Sequence, residues 1–270
     1  MSRHALALLF TFAITMSHAR ADEPASAFPS PTPTAAAIDD TEDESLVSPV
    51  RTYTIQGTYT PSVYGPSHAR VSQIIQRLAV FYVGRYLMRV TLPRIQTING
   101  IDGGYGDMQL FYLFNTSLQR GQSYAGIFLQ IPTGSPELFS SQKWLAGPAV
   151  AHIFEFKKNV RTVGLLLQTA FSIAGPRSAP NQAAISMLPF ATITLKNGWF
   201  LKTPESPWLF DLQRGQTLIA LGAGFGRPVR IVEIPCLLSI TDEGTVVHAN
   251  VINAPKNTVR LTMTFLLTQR

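Results

Sequence analysis

The chain has 270 residues, of which 46% are hydrophobic and 14% charged, with a formal net charge of +6. This composition excludes a chain that is disordered throughout, because it supplies enough apolar surface for a core. No stretch reaches the roughly 18 uninterrupted apolar residues that a membrane-spanning helix needs, which argues against an inner-membrane helical protein. The single cysteine, Cys236, excludes an intramolecular disulfide framework.

The first 50 residues divide into two segments outside the predicted folded domain. Residues 1–21 have a basic start, a short apolar run and a small-x-small site that ends at Ala21, the pattern of a cleaved signal peptide. Residues 22–50 are rich in Pro, Ala, Ser, Thr and acids, which predicts a disordered acidic linker. We therefore expect an exported protein whose folded domain spans residues 51–270.

From Arg51 onward, the sequence shows segments of about ten residues that alternate apolar and polar side chains, as strands with two different faces do. Gly, Pro and Asn separate these segments. The clearest alternation runs through 163–173, and a second runs through 257–269. Twelve strands are predicted, at 51–61, 70–82, 86–95, 107–117, 122–132, 144–156, 160–173, 185–195, 199–210, 215–226, 231–241 and 257–269.

An even number of strands, each long enough to cross a bilayer at a tilt, predicts an all-β, transmembrane, antiparallel up-and-down β-barrel of about 12 strands. Longer connections, such as 62–69 and 242–256, alternate with tight turns such as 83–85. This asymmetry is typical of outer loops and periplasmic turns. The alternative is a soluble β-sandwich or lipocalin-like barrel, whose apolar faces point inward.

Aromatic residues near the segment ends are consistent with membrane interfaces. They are Tyr82, Tyr86, Phe111, Tyr112, Phe114, Tyr124, Trp144, Trp199 and Trp208.

Alternation also predicts which side chains face the barrel interior. If Met88 and Val90 face lipid, Arg89 must face inward, because a lipid-facing Arg at the midplane costs on the order of 2–4 kcal/mol. The same reasoning predicts a lumen lining of amides, hydroxyls and cations, formed by Arg89, Gln109, Gln130, Gln168, Thr192, Thr194, Arg260 and Thr262. Such a lining orients polar solutes or passes anions. The alternative is a closed interior in which these residues hydrogen-bond one another.

Charge is unevenly distributed along the chain. Seven of the 16 acidic residues precede Arg51, whereas 20 of the 22 Lys and Arg residues lie from Arg51 onward. A basic body suits contact with anionic lipid headgroups or an anion-favouring pore. The acidic segment 39–44 also suggests a plug that enters the periplasmic mouth and pairs with Arg89 or Arg260, the alternative being a solvated tether.

Several runs of the barrel region resemble one family. They are GDMQLFYLF (106–114), FLQIPTG (128–134), KWLAGPAVA (143–151), FSIAG (171–175), LPFATITLKNGWFL (188–201) and LGAGFGRPVRI (221–231). In this order they are similar to the outer-membrane barrel family named for the meta-pathway of phenol degradation. The resemblance implies a channel or transporter for small solutes, including hydrophobic or aromatic compounds. One departure is the end of the chain, where Phe265 is the last aromatic, whereas family members end in an aromatic that the barrel-assembly machinery reads.

Patterns for catalysis or cofactor binding are weak. The run LGAGFG at 221–226 precedes no helix, so it does not predict a phosphate loop. The histidines of the mature chain, His68, His152 and His248, lack ligand spacing, and no metal or other cofactor is expected. Ser172 and Ser186 cannot be paired with His152 from sequence, and no enzyme activity is expected.

These features together predict a Gram-negative outer-membrane β-barrel that acts as a porin-like channel for small solutes. Expected partners are outer-membrane lipid and lipopolysaccharide, the barrel-assembly machinery and a small-molecule solute. Nucleic acid is not expected, because the basic residues lack interleaved aromatic platforms. Two alternatives stay open: a non-conducting structural or surface-interaction barrel, and a soluble periplasmic lipid-binding β-barrel.

Overall fold

The structure is a computed structural model that describes residues 50–65, 70–82, 86–98, 101–116, 122–135, 140–156, 161–231, 234–251 and 254–267. The predicted signal peptide, residues 22–49 of the predicted linker and the predicted turn at 83–85 lie outside these ranges. Among the described residues, no helix has the length and apolarity that a bilayer crossing by a helix requires.

Fourteen β-strands and one 3-10 turn, Lys196–Gly198, form the described part of the chain. The strands are β1 (Val50–Val63), β2 (Val71–Tyr82), β3 (Tyr86–Ile98), β4 (Ile101–Tyr105), β5 (Met108–Asn115), β6 (Gln122–Ile131), β7 (Trp144–Phe156), β8 (Arg161–Ala174), β9 (Ala183–Thr194), β10 (Phe200–Lys202), β11 (Trp208–Asp211), β12 (Gln216–Ile231), β13 (Ile234–Ala249) and β14 (Pro255–Leu267).

The strands form one closed antiparallel barrel. Each crossing pairs with the next one along the chain, and β1 pairs with β14 to close the sheet. Strands β10 and β11 are two pieces of one crossing, because both pair with β9 and with β12. Strand β4 extends the ladder of β3 and lies off the closed path. The barrel therefore has twelve crossings, and the predicted up-and-down all-β fold is confirmed.

The two faces of the strands differ in the way that alternation predicts. Outward positions hold exposed apolar side chains, such as Ile127 at 59% and Leu261 at 55% exposure. Their neighbours Phe128 and Arg260 point inward and are each 2% exposed. Because large apolar side chains face outward all round the barrel, this arrangement is the reverse of the lipocalin-like alternative.

Exposed aromatic side chains lie on the outer surface toward both ends of the barrel, and some of their rings pack against one another. The end that holds the turns β2–β3, β5–β6, β9–β10 and β12–β13 is called the turn end here, and the opposite end is called the loop end. Near the turn end, the rings of Tyr112 and Phe114 lie 4.6 Å apart, and those of Trp199 and Phe225 lie 5.9 Å apart. Phe111 and Tyr124 are not among these side chains, since both are buried inside the barrel.

Several predicted strand boundaries are wrong. The predicted connection 242–256 is strand as far as Ala249, and the stretch 227–230 is strand as well. In both stretches β12 and β13 continue to pair with each other, so their backbone groups are satisfied by one hairpin despite the polar, glycine-rich sequence. The predicted loop 96–106 contains β4 for a similar reason, because it folds back onto β3.

Glycine is required at several places where adjacent strands approach closely, as at Gly126 and Gly222. A Cβ atom at Gly126 would overlap the backbone carbonyl of Tyr112, and one at Gly222 would overlap that of Asp242. Only a residue without a side chain permits such contact, so these glycines let the barrel wall bend between β5 and β6 and between β12 and β13.

Candidate functional site

One side of the barrel interior is a polar wall, formed by the inward residues of β13, β14 and β1. These residues are Ser239, Thr241, Glu243, Thr258, Arg260, Thr262, Thr264, Thr52, Thr54, Gln56, Thr58 and Thr60, and all are at most 8% exposed. Paired threonines join β1 to β14, with Oγ1 atoms 3.0 Å apart both for Thr54 and Thr264 and for Thr60 and Thr258. Hydroxyl groups are satisfied here by one another, as buried polar groups require.

On the other strands, an apolar cluster shares the interior with polar side chains such as Gln109, Gln168 and Thr192, and this cluster is called the apolar wall here. It consists of Ala79, Leu87, Phe111, Leu113, Tyr124, Phe128, Ala149, Ala151, Ile153, Leu166, Leu188 and Phe190, which pack as one cluster on strands β2 to β9. The rings of Phe111 and Phe128 lie 5.1 Å apart, and the guanidinium of Arg89 lies 4.6 Å from the centroid of Phe111. A cation on β3 is thus held against an aromatic face of β5, inside the part of the barrel that carries the apolar wall.

The crossing made by β10 and β11 is interrupted by residues 203–207, which we call the inner bridge. These five residues, Thr-Pro-Glu-Ser-Pro, stand opposite four residues of β9, because Lys202 pairs with Thr192 and Trp208 pairs with Met187. Proline has no N–H to donate to a ladder, so two prolines within five residues break the strand. The predicted single strand 199–210 is therefore wrong in its middle.

The inner bridge makes contacts through the barrel interior rather than along its wall. Glu205 Oε2 lies 3.4 Å from Arg77 Nη1 of β2, and Arg260 Nη2 of β14 donates to Ser206 Oγ at 3.0 Å. Neither β2 nor β14 is adjacent to β10 or β11 in the sheet, so these contacts cross the lumen. Residues 204–207 are all buried.

Two ion-pair groups form around these contacts. Lys202 Nζ pairs with Glu205 Oε1, and Arg77 also donates to Gln56 Oε1 at 2.6 Å. Arg260 pairs with Glu243 at 2.7 Å. Arg77, Glu205, Arg260 and Glu243 have side chains at most 2% exposed.

A third polar group lies near the loop end, around the fully buried carboxylate of Asp107. It accepts hydrogen bonds from Gln130 Nε2 at 3.1 Å, Ser140 Oγ at 2.7 Å, and both the backbone N–H and the hydroxyl of Ser141 at 2.8 and 2.6 Å. Lys143 Nζ donates to the carbonyl of Pro176 at 2.7 Å. These bonds fix the described parts of the β6–β7 connection against the barrel.

The eight predicted lining residues all lie on the inward face of their strands. Seven are at most 5% exposed, namely Arg89, Gln109, Gln130, Gln168, Thr192, Arg260 and Thr262, while Thr194 is half-buried. The structure brings Gln109 and Gln130 together, with Nε2 and Oε1 3.5 Å apart, and the other six are spread round the barrel. Their part in transport stays a prediction.

Several charged residues of the interior were not predicted from the sequence, among them Asp107, Arg77, Lys202, Glu205 and Glu243. A signal existed for Glu205, because prolines at 204 and 207 are not tolerated inside a paired central strand. For Glu243 no local signal existed, since the predicted strand ended at 241. The plug hypothesis concerns residues outside the described ranges, and of the cations it named, Arg260 is bound to Glu243 and Ser206.

The structure pairs His152 with a serine that the sequence did not single out. Ser123 Oγ lies 2.6 Å from His152 Nδ1, and the ring of Phe154 lies 4.1 Å from that of His152. The pair lies on the outer face, because neighbouring Tyr124 and Ile153 belong to the interior cluster. In the described parts of the chain, no group of three or more His, Cys, Asp or Glu side chains is placed to hold a metal ion.

No protein-family model matches the chain, and no curated protein matches it. Solved structures with a similar fold exist. The COG4313 outer membrane channel from Pseudomonas putida F1 matches with a TM-score of 0.55 and 13% identity, over 85% of this chain and 99% of that one. The NanC porin matches with a TM-score of 0.55 and 13% identity, over 80% of this chain and 100% of that one. The chain therefore shares its barrel fold with a solved outer membrane channel and a solved porin.

Proposed function

We propose that the protein is an outer-membrane channel for small solutes. The observation that carries this proposal is the division of the barrel into an apolar outer surface and a polar, cationic interior. The apolar outer surface is stable in contact with the hydrocarbon chains of lipids. Because the sheet closes on itself, no strand edge is left unpaired in the bilayer. The outward aromatic rings near the turn end suit a membrane interface.

The charge of the interior supports a preference for anions. In the middle of the interior, Arg77, Arg89, Lys202 and Arg260 bring together four cations, which Glu205 and Glu243 oppose, while Asp107 and Lys143 add one charge of each sign near the loop end. Cationic linings favour the passage of anions. The structural likeness to a channel and a porin supports a channel function. The resemblance of the sequence to the phenol-degradation barrel family supports it as well and adds hydrophobic or aromatic compounds to the proposed solutes.

A second candidate function is a barrel that does not conduct in its resting state. The observation that favours it is the burial of the central layer, where Arg77, Arg89 and Arg260 are each 2% exposed. Side chains that line a wide aqueous pore would be more exposed, so the central layer is narrow or closed. A soluble lipid-binding barrel has no such support, because the large apolar side chains face outward.

Planar-bilayer recording of the purified protein tests the proposal. We expect discrete conductance steps in KCl and, under a salt gradient, a reversal potential that indicates preference for chloride. Insertion without conductance, seen as heat-modifiable migration of a membrane-embedded protein that passes no ions, would favour the second candidate. A protein that stays folded in water without detergent would contradict both.

A further inference from the structure

The inner bridge places a carboxylate between two cations inside the barrel. One oxygen of Glu205 meets Lys202 and the other meets Arg77, so both oxygens are engaged. Arg77 is held in this position by Gln56 of the neighbouring strand, at 2.6 Å. The site is built rather than incidental, because the side chains of Glu205 and Arg77 are 2% and 1% exposed.

The bridge is held differently from the strands on either side of it. At its start, Thr203 exchanges two bonds with Ala191, the backbone N–H donating at 3.0 Å and the hydroxyl accepting at 2.9 Å. Pro204 and Pro207 lack an N–H, so neither donates to the ladder. The middle of the bridge is positioned by the side-chain contacts of Glu205 and Ser206 with cations of β2 and β14.

The same cations suit an external carboxylate. Guanidinium and ammonium groups form short, charge-assisted hydrogen bonds with carboxylates, whatever molecule carries them. Lys202 is the more accessible of the two, with a side chain that is 10% exposed, so it is the cation that an entering anion meets first.

Apolar side chains flank this position. Leu188 and Phe190 of β9 lie in the stretch opposite the bridge, between the pairs made by Lys202 and Trp208, and both belong to the apolar wall. Both are covered while Glu205 is in place, at 1% and 3% exposure, so a ring attached to a carboxylate would pack against them once Glu205 and the bridge have moved aside.

We propose that Arg77 and Lys202 form a binding site for small aromatic carboxylates, and that Glu205 is a tethered carboxylate that occupies the site until a solute displaces it. This inference rests on the proposed channel function and names the solute class for it. Displacement loosens the middle of the inner bridge, because it removes the contacts of Glu205 with Arg77 and Lys202. The interior therefore widens when a solute carboxylate replaces Glu205 at the two cations.

Sodium benzoate and the variant Glu205→Gln test this assignment. We expect E205Q to bind benzoate about tenfold more tightly than the unchanged protein. The reason is that the carboxylate of benzoate no longer competes with that of Glu205 for charge-assisted hydrogen bonds with the two cations. Binding is measured as half-maximal block of single-channel current and by calorimetry on detergent-solubilised protein. Neutral benzyl alcohol is the matched probe, and its binding should not change.

Two further variants separate the site from a general effect of charge. Glu243→Gln removes an equally buried carboxylate from the polar wall and should change benzoate affinity by less than about threefold, since a one-charge change at a distance is weaker than direct competition. Adding Arg77→Gln to E205Q should abolish the gain. Equal gains in E205Q and E243Q, or no gain in E205Q, would overturn the site.

The calorimetric readout separates failure of this site from failure of the channel. If the protein passes no current but E205Q binds benzoate more tightly in solution, the site stands and the channel proposal falls. If current flows but neither readout changes with Glu205, the channel stands and this site falls. Heat-modifiable migration of every variant confirms that each one is folded before it is compared.

Discussion

The polar wall and the apolar wall line one barrel, yet different forces hold them. In the polar wall, buried groups pair with one another, as Thr54 does with Thr264 and Arg260 with Glu243. In the apolar wall, Leu188, Phe111 and Phe128 fill space by contact. A polar wall loses stability when one partner is removed, whereas an apolar wall loses it when a void opens. The two walls should therefore respond to different substitutions.

The largest effect is expected at the buried ion pair of the polar wall. Arg260→Met removes the buried cation that pairs with Glu243 Oε1, which should lower the free energy of unfolding by about 3–5 kcal/mol. Urea unfolding in lipid vesicles measures it. The double variant Arg260→Met with Glu243→Leu should recover most of the loss. A single-variant loss below about 1 kcal/mol would mean that the pair lies in water rather than in a closed layer.

A slightly smaller effect is expected in the apolar wall. Leu188→Ala should lower the free energy of unfolding by about 2–5 kcal/mol, because the surrounding side chains close only part of the cavity. The matched control is Leu165→Ala on the outer face, at 40% exposure, where lipid fills the space and the loss should be smaller. Equal losses would show that the apolar wall is not tightly packed.

A third prediction concerns the bend of the wall beside Leu113. Gly126→Ala should cost about 1–3 kcal/mol, because the added methyl group forces the backbone of β5 to move. At Gly57 of β1 the nearest atom to an added Cβ is 4.0 Å away, so Gly57→Ala should leave stability unchanged or raise it slightly. Unfolding midpoints of the two variants decide between a sharp bend at Gly126 and a uniformly curved wall.

The smallest effect is expected at the threonine pairs. Thr54→Val leaves the hydroxyl of Thr264 without its partner and should cost about 1 kcal/mol. Replacing both residues by valine should restore most of that stability, because two apolar groups of the same shape then meet. If the double variant is less stable than the single one, the hydroxyls serve a further partner such as water, and the polar wall is wetter than its burial indicates.

Alternation predicted the barrel and the direction of its side chains because a strand has a strict period of two. For Arg89, one apolar neighbour on each side was enough to assign the interior, since a lipid-facing guanidinium is costly. A different argument, from position near a strand end, failed for Phe111 and Tyr124. Aromatic residues near strand ends suggest an interface, but alternation places both inside, and the position along the strand was given too much weight.

Sequence could not predict the inner bridge from local pattern alone. One extra residue between Lys202 and Trp208 reverses the alternation, so that even positions point inward before the bridge and odd ones after it. The pairing of Glu205 with Arg77 joins strands that are not neighbours, and such contacts depend on the diameter of the closed barrel. A stretch of ten residues determines neither the change of register at the bridge nor the diameter of the barrel.

The barrel closes only when β1 pairs with β14. Thr54 and Thr264 meet across 210 positions of the chain, and nearly every other strand pairs with the crossing before or after it. Hairpins form from local contacts on fast timescales, whereas a junction between the extremities must wait for the whole polypeptide. Until that junction forms, two strand edges stay open to pairing with other chains, so biogenesis is most vulnerable to misassembly at its final step.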